Sequence, residues 1–203
     1  MNVQHKPPPP PPTRPSMTLD EFFAWDGGGH VGKLELVEGV VRAMAPASAT
    51  DSIIQGNVVV AIHNHLRASK SPCRVGPEAP VIPPMGRKIN ARAPDISVTC
   101  KPVSDSKVFE DPVLIVEVLS PSNEEDTWES IHALAGLTSL KEILVVQSES
   151  VGVEVYTRDA SGAWPRDPVA VGLDGIIHLT SIGLDLAVVE VYAGTHLVDS
   201  TPP

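Results

Sequence analysis

A run of apolar residues near the middle of the chain carries one acidic side chain, and this pattern limits the fold more than any other feature. Residues 113–119 read VLIVEVL. A short apolar run rich in β-branched residues is typical of a core strand. A carboxylate inside such a strand is costly to bury without a partner. Glu117 is therefore predicted to have a specific partner, either a basic side chain or a bound ion.

A second predicted core strand, residues 95–100, begins with another acidic residue, Asp95. The midpoint between Asp95 and Glu117 is residue 106, which lies in the turn-like segment 104–107. A hairpin symmetric about this turn would pair the strands antiparallel and place Asp95 opposite Glu117, with their Cβ atoms about 5 Å apart. Two facing carboxylates destabilise a sheet unless positive charge offsets them.

A shared divalent cation would offset these two charges. Mg²⁺ takes oxygen ligands, commonly one or two carboxylates together with water. Such an ion can generate a hydroxide nucleophile and stabilise charge on a phosphoryl group. Two simpler interpretations stay open. Asp95 can be a turn residue at the start of its strand after Pro94, and Glu117 can form a salt bridge with Arg92.

A shorter hairpin is predicted at residues 33–44, because two apolar strands flank the turn dipeptide Glu38-Gly39. This turn would pair Glu35 with Arg42 across the hairpin. The pattern is equally compatible with an ion pair between these two residues and with a role for Glu35 as a third acidic ligand of the site.

The chain is acidic, with 15 Lys and Arg residues against 25 Asp and Glu residues and a formal net charge of −10. This charge argues against loose binding of nucleic acid, so any contact with DNA must be local. Residues 86–92 form a basic loop that runs directly into the segment of Asp95. Arg87, Lys88 and Arg92 are therefore the candidates for contacting a substrate phosphate.

The rest of the pattern predicts a mixed α/β domain. Residues 48–68 carry apolar side chains at the spacing of an amphipathic helix. Ser122 and Glu125 are typical of a capping box at the start of another helix. Further strands are predicted at residues 143–146, 151–156, 176–179 and 187–191.

The boundaries of the domain follow from composition. Residues 7–12 are all proline, which favours a solvated polyproline helix and supplies no core contacts. We therefore expect a disordered proline-rich tail at 1–16, one folded domain at 17–197 and a flexible tail at 198–203. A length of 203 residues with 42% apolar residues suits a single core.

The two cysteines, Cys73 and Cys100, are far apart in sequence and are predicted to be buried free thiols rather than a disulfide or a zinc site. No apolar run is long enough to cross a bilayer, and the first residues lack the apolar stretch of a signal peptide. We therefore expect a cytoplasmic protein without a membrane partner.

Several segments together resemble the restriction endonuclease family of the Uma type, a bacterial branch of the PD-(D/E)xK nuclease superfamily. The two most specific are residues 93–98, APDISV, and residues 114–122, LIVEVLSPS. Residues 34–41 and 44–46 match as well. The resemblance covers about residues 17–197, as judged from the order and spacing of these segments.

The resemblance implies a restriction-endonuclease-like fold, in which a mixed, largely antiparallel sheet is flanked by helices. It also implies that Asp95 and Glu117 bind Mg²⁺ or Mn²⁺, that the carbonyl of Val118 joins them and that Glu35 assists. The implied reaction is hydrolysis of phosphodiester bonds in DNA, which makes DNA the expected partner. The resemblance leaves a homodimer open.

The family pattern also places a lysine beside the metal, where it holds the attacking water and the scissile phosphate. At the two positions where relatives carry this lysine, the chain has Leu119 and Ser130. Lys141 or Lys88 is then the candidate substitute. Two functions stay open: a Mg²⁺-dependent endonuclease, and a catalytically degenerate relative that acts as a binding or interaction module.

Overall fold

The computed structural model describes residues 16–30, 32–103, 105 and 107–198. Most of the predicted proline-rich tail (1–16) and of the predicted C-terminal tail (198–203) lies outside the described residues, as do positions 104 and 106 of the predicted hairpin turn. Within the described part, no helix is both long enough and apolar enough to span a lipid bilayer.

The N-terminal part of the domain contains a short helix, followed by the hairpin and the long helix that the sequence predicts. Thr18 caps the short helix in a capping box with Glu21, and Ser48 caps the long helix. The hairpin strands pair in the predicted register, with Glu35 opposite Arg42. These elements are α1 (Leu19–Ala24), β1 (Leu34–Val37), β2 (Val40–Ala43) and α2 (Ala49–Ala68).

A six-stranded sheet lies at the centre of the domain, with its strands side by side in chain order. The strands are β3 (Arg74–Pro77), β4 (Ile96–Thr99), β5 (Pro112–Leu119), β6 (Glu142–Gln147), β7 (Val153–Thr157) and β8 (Val169–Val171). Neighbouring strands are antiparallel except β5 and β6, which are parallel and connected through α3 (Glu124–Leu134). The predicted mixed α/β class with a largely antiparallel sheet is confirmed.

Strands β4 and β5 form the long hairpin that the sequence predicts. Ile96 lies opposite Val116, and Ser97 lies opposite Ile115. This is the register of a hairpin symmetric about residue 106. The acidic residue just before β4 is therefore brought alongside the acidic residue within β5.

Both faces of the sheet are covered, which explains why β5 is apolar almost throughout. On one face, Val116 and Val118 belong to the core cluster that includes α2 side chains. On the other face, Ile115 and Leu119 pack in a second cluster with α3 side chains. Because side chains alternate along a strand, Glu117 lies on the α3 face between Ile115 and Leu119.

The C-terminal part of the domain differs from the prediction at one element. The strand predicted at residues 187–191 is wrong, because these residues continue into a helical turn. Val188 and Val191 are both buried, and their spacing of three suits one face of a helix rather than one face of a strand. The elements here are β9 (Ile176–Leu179), β10 (Leu184–Ala187) and α4 (Val188–Val191).

The prediction of two free thiols is also wrong, because Cys73 and Cys100 form a disulfide. Arg74 lies opposite Thr99 in the antiparallel pairing of β3 and β4. The two cysteines are the next residues outward on each strand, so they face each other. The pairing was hidden in the sequence because a long connection, rather than a tight turn, joins these two strands.

Candidate active site

Asp95 and Glu117 lie side by side where β4 begins and β5 ends. The backbone N–H of Asp95 donates to Glu117 Oε2 over 3.2 Å, and the N–H of Val118 donates to Asp95 Oδ2 over 2.8 Å. The two acidic residues are 8% and 4% exposed, so their carboxyl groups are almost completely removed from bulk water. The hairpin register thus brings two buried carboxylates together.

Ionising both members of this pair is unfavourable. Burial raises the pKa of Glu117 from its ordinary value of 4.5 to about 8, and the charge of Asp95 acts in the same direction. A cation held between the two groups would favour their charged forms. The pair therefore has the chemistry of a cation site, because it combines hard oxygen donors with a shortage of positive charge.

The donor set suits Mg²⁺ or Mn²⁺. Among the residues that the structure describes, no three or more His, Cys, Asp and Glu side chains are grouped as metal ligands. The site therefore offers two carboxylates rather than a cage of protein ligands. Mg²⁺ commonly binds through one or two carboxylates and keeps several waters, and Mn²⁺ favours the same oxygen donors.

The carbonyl of Val118, the third donor implied by the resemblance, is oriented by Asn123. Asn123 Nδ2 donates to this carbonyl over 3.1 Å, and Asn123 Oδ1 accepts from the N–H of Ser120 over 2.8 Å. Asn123 precedes α3 without capping it through its side chain, so the capping box predicted from Ser122 does not form. A carbonyl oxygen has two lone pairs, and the Val118 oxygen retains one for a further ligand.

Glu35 lies beside the same pair, but its ionic partner differs from the predicted one. Glu35 Oε2 lies 3.3 Å from Arg92 Nη1, and Glu35 Oε1 accepts from the N–H of Ala93 over 2.8 Å. Arg42 is opposite Glu35 in the hairpin, but its guanidinium lies 2.7 Å from Glu129 in α3. Arg92 and the backbone of Ala93, in the segment before β4, therefore fix the Glu35 carboxylate, and the hairpin partner Arg42 does not.

Lys33 is a residue of the site that the sequence analysis missed. Its Nζ lies 3.0 Å from Asp95 Oδ1, and its side chain is only 15% exposed. Burial by itself would lower the pKa of Lys33, but the carboxylates of Glu117, Asp95 and Glu35 together raise it above its ordinary value. The sequence did contain a signal for Lys33. This residue is two positions before Glu35, and alternate residues of a strand share a face, so Lys33 could have been placed beside Glu35.

Two backbone hydrogen bonds dock the hairpin beside the carboxylates. The N–H of Leu36 donates to the carbonyl of Ala91 over 3.0 Å, and the N–H of Ala91 donates back to the carbonyl of Leu36 over 2.9 Å. This antiparallel bridge aligns β1 with the segment that leads into β4. Lys33, near the start of β1, consequently reaches Asp95.

A cavity of about 480 Å³ opens over these residues. From α3, Ser130 faces it, with its hydroxyl oxygen 3.4 Å from Glu117 Oε1. Among the described residues that line the cavity, Lys33 is the only lysine or arginine. The acidic residues of the lining are Glu35, Asp51, Glu78, Asp95, Glu117 and Asp126. The acidic side chains of the lining therefore outnumber its one lysine, which favours the entry of a cation into the cavity.

The basic loop does not face the carboxylate pair. Arg87 lines a separate cavity, and Lys88 is not part of the lining around Asp95 and Glu117. Arg92 is buried, and its guanidinium contacts two glutamates, neither of which is Glu117. None of the three predicted phosphate contacts is therefore presented to the cavity as a free cation.

Lys141, the other candidate substitute for the family lysine, lies at the opposite end of the sheet. The N–H of Lys141 donates to the carbonyl of Val113 at the start of β5. Val113 precedes Glu117 by four residues, which is about 13 Å along a strand at roughly 3.3 Å per residue. The parallel pairing of β5 and β6 therefore keeps Lys141 away from the carboxylates.

Comparison with known proteins places this chain in a family. The family model "Uma2: Putative restriction endonuclease" matches residues 19–189. A protein of Synechocystis sp. (strain ATCC 27184 / PCC 6803 / Kazusa), described as "Uncharacterized protein slr1290", is 30% identical over 183 residues. The match covers 89% of this chain and 93% of the Synechocystis protein.

A solved structure shares the fold. It is the crystal structure of a "putative nuclease belonging to DUF820" from Anabaena variabilis ATCC 29413, and it superposes with a TM-score of 0.65. The two chains are 20% identical, and the match covers 87% of this chain and 97% of the other. The likeness confirms the nuclease-like fold that the sequence predicts.

Proposed function

This chain belongs to the Uma2 restriction endonuclease family, and we propose that it is a divalent-cation-dependent endonuclease that hydrolyses phosphodiester bonds of DNA. One observation carries the proposal: Asp95 and Glu117 are buried side by side at the wall of a cavity that has little positive charge of its own. Buried carboxylates that serve only the fold are normally paired or fully hydrogen-bonded. Here, among the described residues, Lys33 is the one cation in contact with the pair, and each of the four carboxylate oxygens accepts a single hydrogen bond, so acceptor capacity remains for a metal ion.

Asp95, Glu117 and the carbonyl of Val118 are the proposed ligands of Mg²⁺ or Mn²⁺. A bound divalent cation supplies positive charge to a phosphoryl oxygen and lowers the pKa of water. The protein holds these donors in place before any ion binds, because the N–H of Val118 fixes Asp95 and the amide of Asn123 fixes the Val118 carbonyl.

In the proposed reaction, a water oxygen forms a bond to phosphorus and one ester bond of that phosphorus breaks. The leaving ester oxygen keeps the electron pair and takes up a proton from solvent, while the attacking water releases a proton to solvent. Glu35 orients this water, because its carboxylate is fixed by Ala93 and Arg92 and borders the cavity.

The charge distribution determines how DNA reaches the site. A net charge of −10 and an acidic cavity repel a polyanion at a distance. Binding of DNA should therefore depend on the divalent cation as well as on local contacts. The cation should therefore have two roles in cleavage: it allows the phosphate to enter the cavity, and it takes part in the chemical step.

A catalytically degenerate interaction module is the second candidate. The observation that favours it is the identity of Leu119 and Ser130, which occupy the positions of the family lysine. A protein of this kind would keep the fold and bind a partner without cleaving DNA.

Incubation of supercoiled plasmid with the purified protein in Mg²⁺, Mn²⁺ or EDTA tests the proposal. We expect nicked and linear DNA with either metal and none with EDTA. Asp95→Asn should reduce cleavage by at least about 10²-fold, because one ligand of the charge-stabilising ion is lost. The control Lys101→Ala, at an exposed lysine outside the cavity, should cleave like the wild type. An inactive wild type, or an Asp95→Asn variant of unchanged activity, would favour the interaction module.

A further inference from the structure

The environment of Lys33 assigns it a role beyond that of a surface residue. Its side chain is largely buried, and its Nζ contacts Asp95 Oδ1 over 3.0 Å. Its charge also interacts with Glu117 and Glu35, the other two carboxylates of the proposed centre. A lysine therefore lies among the carboxylates of the site, although neither position of the family motif provides one.

We propose that Lys33 is the catalytic cation of this site and contacts both the scissile phosphate and the attacking water. This inference rests on the proposed nuclease function. It reassigns the task of the motif lysine from β5 or α3, where Leu119 and Ser130 lie, to the residue just before β1. An ammonium group has three donors and no acceptor, so Lys33 can keep its bond to Asp95 and still donate to a phosphate oxygen.

The fold explains why the lysine can move between elements. Ser130 and Lys33 belong to two different segments, α3 and the residues just before β1, but both border the same carboxylate pair. Ser130 approaches Glu117 from α3 over 3.4 Å, while Lys33 approaches Asp95 from the docked hairpin. A positive charge delivered from either side would reach a phosphate bound above the pair.

A simpler role for Lys33 is that of a counter-ion that makes the buried carboxylates tolerable. The two roles predict different combinations of cleavage and metal binding. A counter-ion competes with the metal for Asp95 and contributes nothing further to the reaction. A catalytic cation is needed for cleavage even when the metal is bound.

The experiment compares wild type with Lys33→Met, which keeps a long apolar side chain but removes the charge. Plasmid cleavage is measured with Mn²⁺, and metal binding is measured separately as the Mn²⁺-induced rise in Tm. We expect cleavage by Lys33→Met to fall about 10²–10³-fold, the usual cost of losing one electrostatic group of an active site. The Mn²⁺-induced rise in Tm should be at least as large as in wild type.

Two further variants sharpen the experiment. Lys101→Met makes the same chemical change at an exposed lysine just beyond β4, outside the cavity, and should leave cleavage unchanged. Lys33→Met combined with Ser130→Lys should recover at least about tenfold of the lost activity, because a lysine at position 130 approaches the same carboxylates from α3.

The outcomes separate the inference from the function on which it rests. If wild type cleaves and Lys33→Met cleaves equally well, the inference is wrong and the nuclease function stands. If Lys33→Met loses both cleavage and the Mn²⁺-induced rise in Tm, Lys33 only maintains the metal site, and the catalytic role is rejected. If wild type itself cleaves nothing with either metal, the proposed function fails and the role of Lys33 fails with it.

Discussion

Two buried glutamates on neighbouring strands, Glu117 in β5 and Glu142 in β6, differ in what surrounds them. Glu142 is 0% exposed and accepts four hydrogen bonds. The donors are the hydroxyl of Thr157, both the hydroxyl and the N–H of Thr180, and the N–H of Ser181. Both oxygens of Glu142 are therefore occupied by neutral groups that fix the strands around it.

Glu117 is almost as buried but has fewer and longer hydrogen bonds. It accepts from the N–H of Asp95 over 3.2 Å and from the hydroxyl of Ser130 over 3.4 Å. It also faces the carboxylate of Asp95, whose charge opposes its ionisation. Burial alone therefore does not distinguish Glu117, the proposed metal ligand, from Glu142. The distinguishing feature is a buried acid with unused acceptor capacity beside a cavity.

The largest effect on stability should come from Glu142→Gln. The amide NH₂ of glutamine would have to face either the N–H of Ser181 or the three donors around the other oxygen, so a donor would oppose a donor. We expect the free energy of unfolding to fall by about 2–3 kcal/mol, measured by urea denaturation in EDTA. A variant as stable as wild type would show that these hydrogen bonds do not stabilise the fold.

The same substitution at Glu117 should preserve stability and impair cleavage, whereas Glu142→Gln should lower stability. Glu117→Gln removes a repulsive charge beside Asp95, so stability in EDTA at pH 8 should be unchanged or higher. Metal-dependent plasmid cleavage should fall by at least about 10²-fold because a metal ligand is lost. If Glu142→Gln impairs cleavage in the folded protein as strongly as Glu117→Gln does, the division between the two glutamates is wrong.

A smaller effect should appear in the dependence of stability on pH. The pKa of Glu117 in the folded state is about 8, against an ordinary value of 4.5. Between these values the folded protein holds a proton that the unfolded chain has lost, so the free energy of unfolding falls as pH rises. The contribution of Glu117 is therefore most favourable below pH 4.5 and is lost by about pH 8.

Urea denaturation in EDTA at pH 5 and pH 8 measures this effect as a difference between wild type and Glu117→Gln. The variant should lose less stability than wild type over this interval, because glutamine does not titrate. Equal losses of stability would mean that Glu117 has an ordinary pKa in the folded protein, so that its burial does not disfavour ionisation.

The sequence predicted the centre of the fold well because local patterns determine it. The apolar strand around Glu117 and the turn-like segment after β4 together fixed the register that brings Asp95 alongside Glu117. The turn dipeptide in the first hairpin likewise fixed the pairing of Glu35 with Arg42. In the first hairpin, the strand pattern and the turn specify the same register. Between β4 and β5 the register shifts at Val98 and Thr99, so the strand pattern beside Glu117 is the more informative signal.

The errors concern contacts that no local pattern specifies. Lys33 reaches Asp95 only because β1 docks on a segment more than fifty residues away in the chain. Cys73 meets Cys100 through the register of β3 and β4, which are joined by a long connection. Lys141 was wrongly considered for the site, because its distance from Glu117 depends on the parallel pairing of β5 with β6. Local sequence propensity does not reveal that pairing.

The central claim is that Asp95 and Glu117 share one divalent cation, and calorimetric titration of Mn²⁺ into the metal-free protein tests it most directly. Wild type should bind one ion at this site, Asp95→Asn should lose that binding, and Glu142→Gln should retain it at a temperature where the variant is folded. Affinity should rise between pH 6 and pH 8 as Glu117 loses its proton. Equal binding by wild type and Asp95→Asn would place the metal elsewhere and contradict the account.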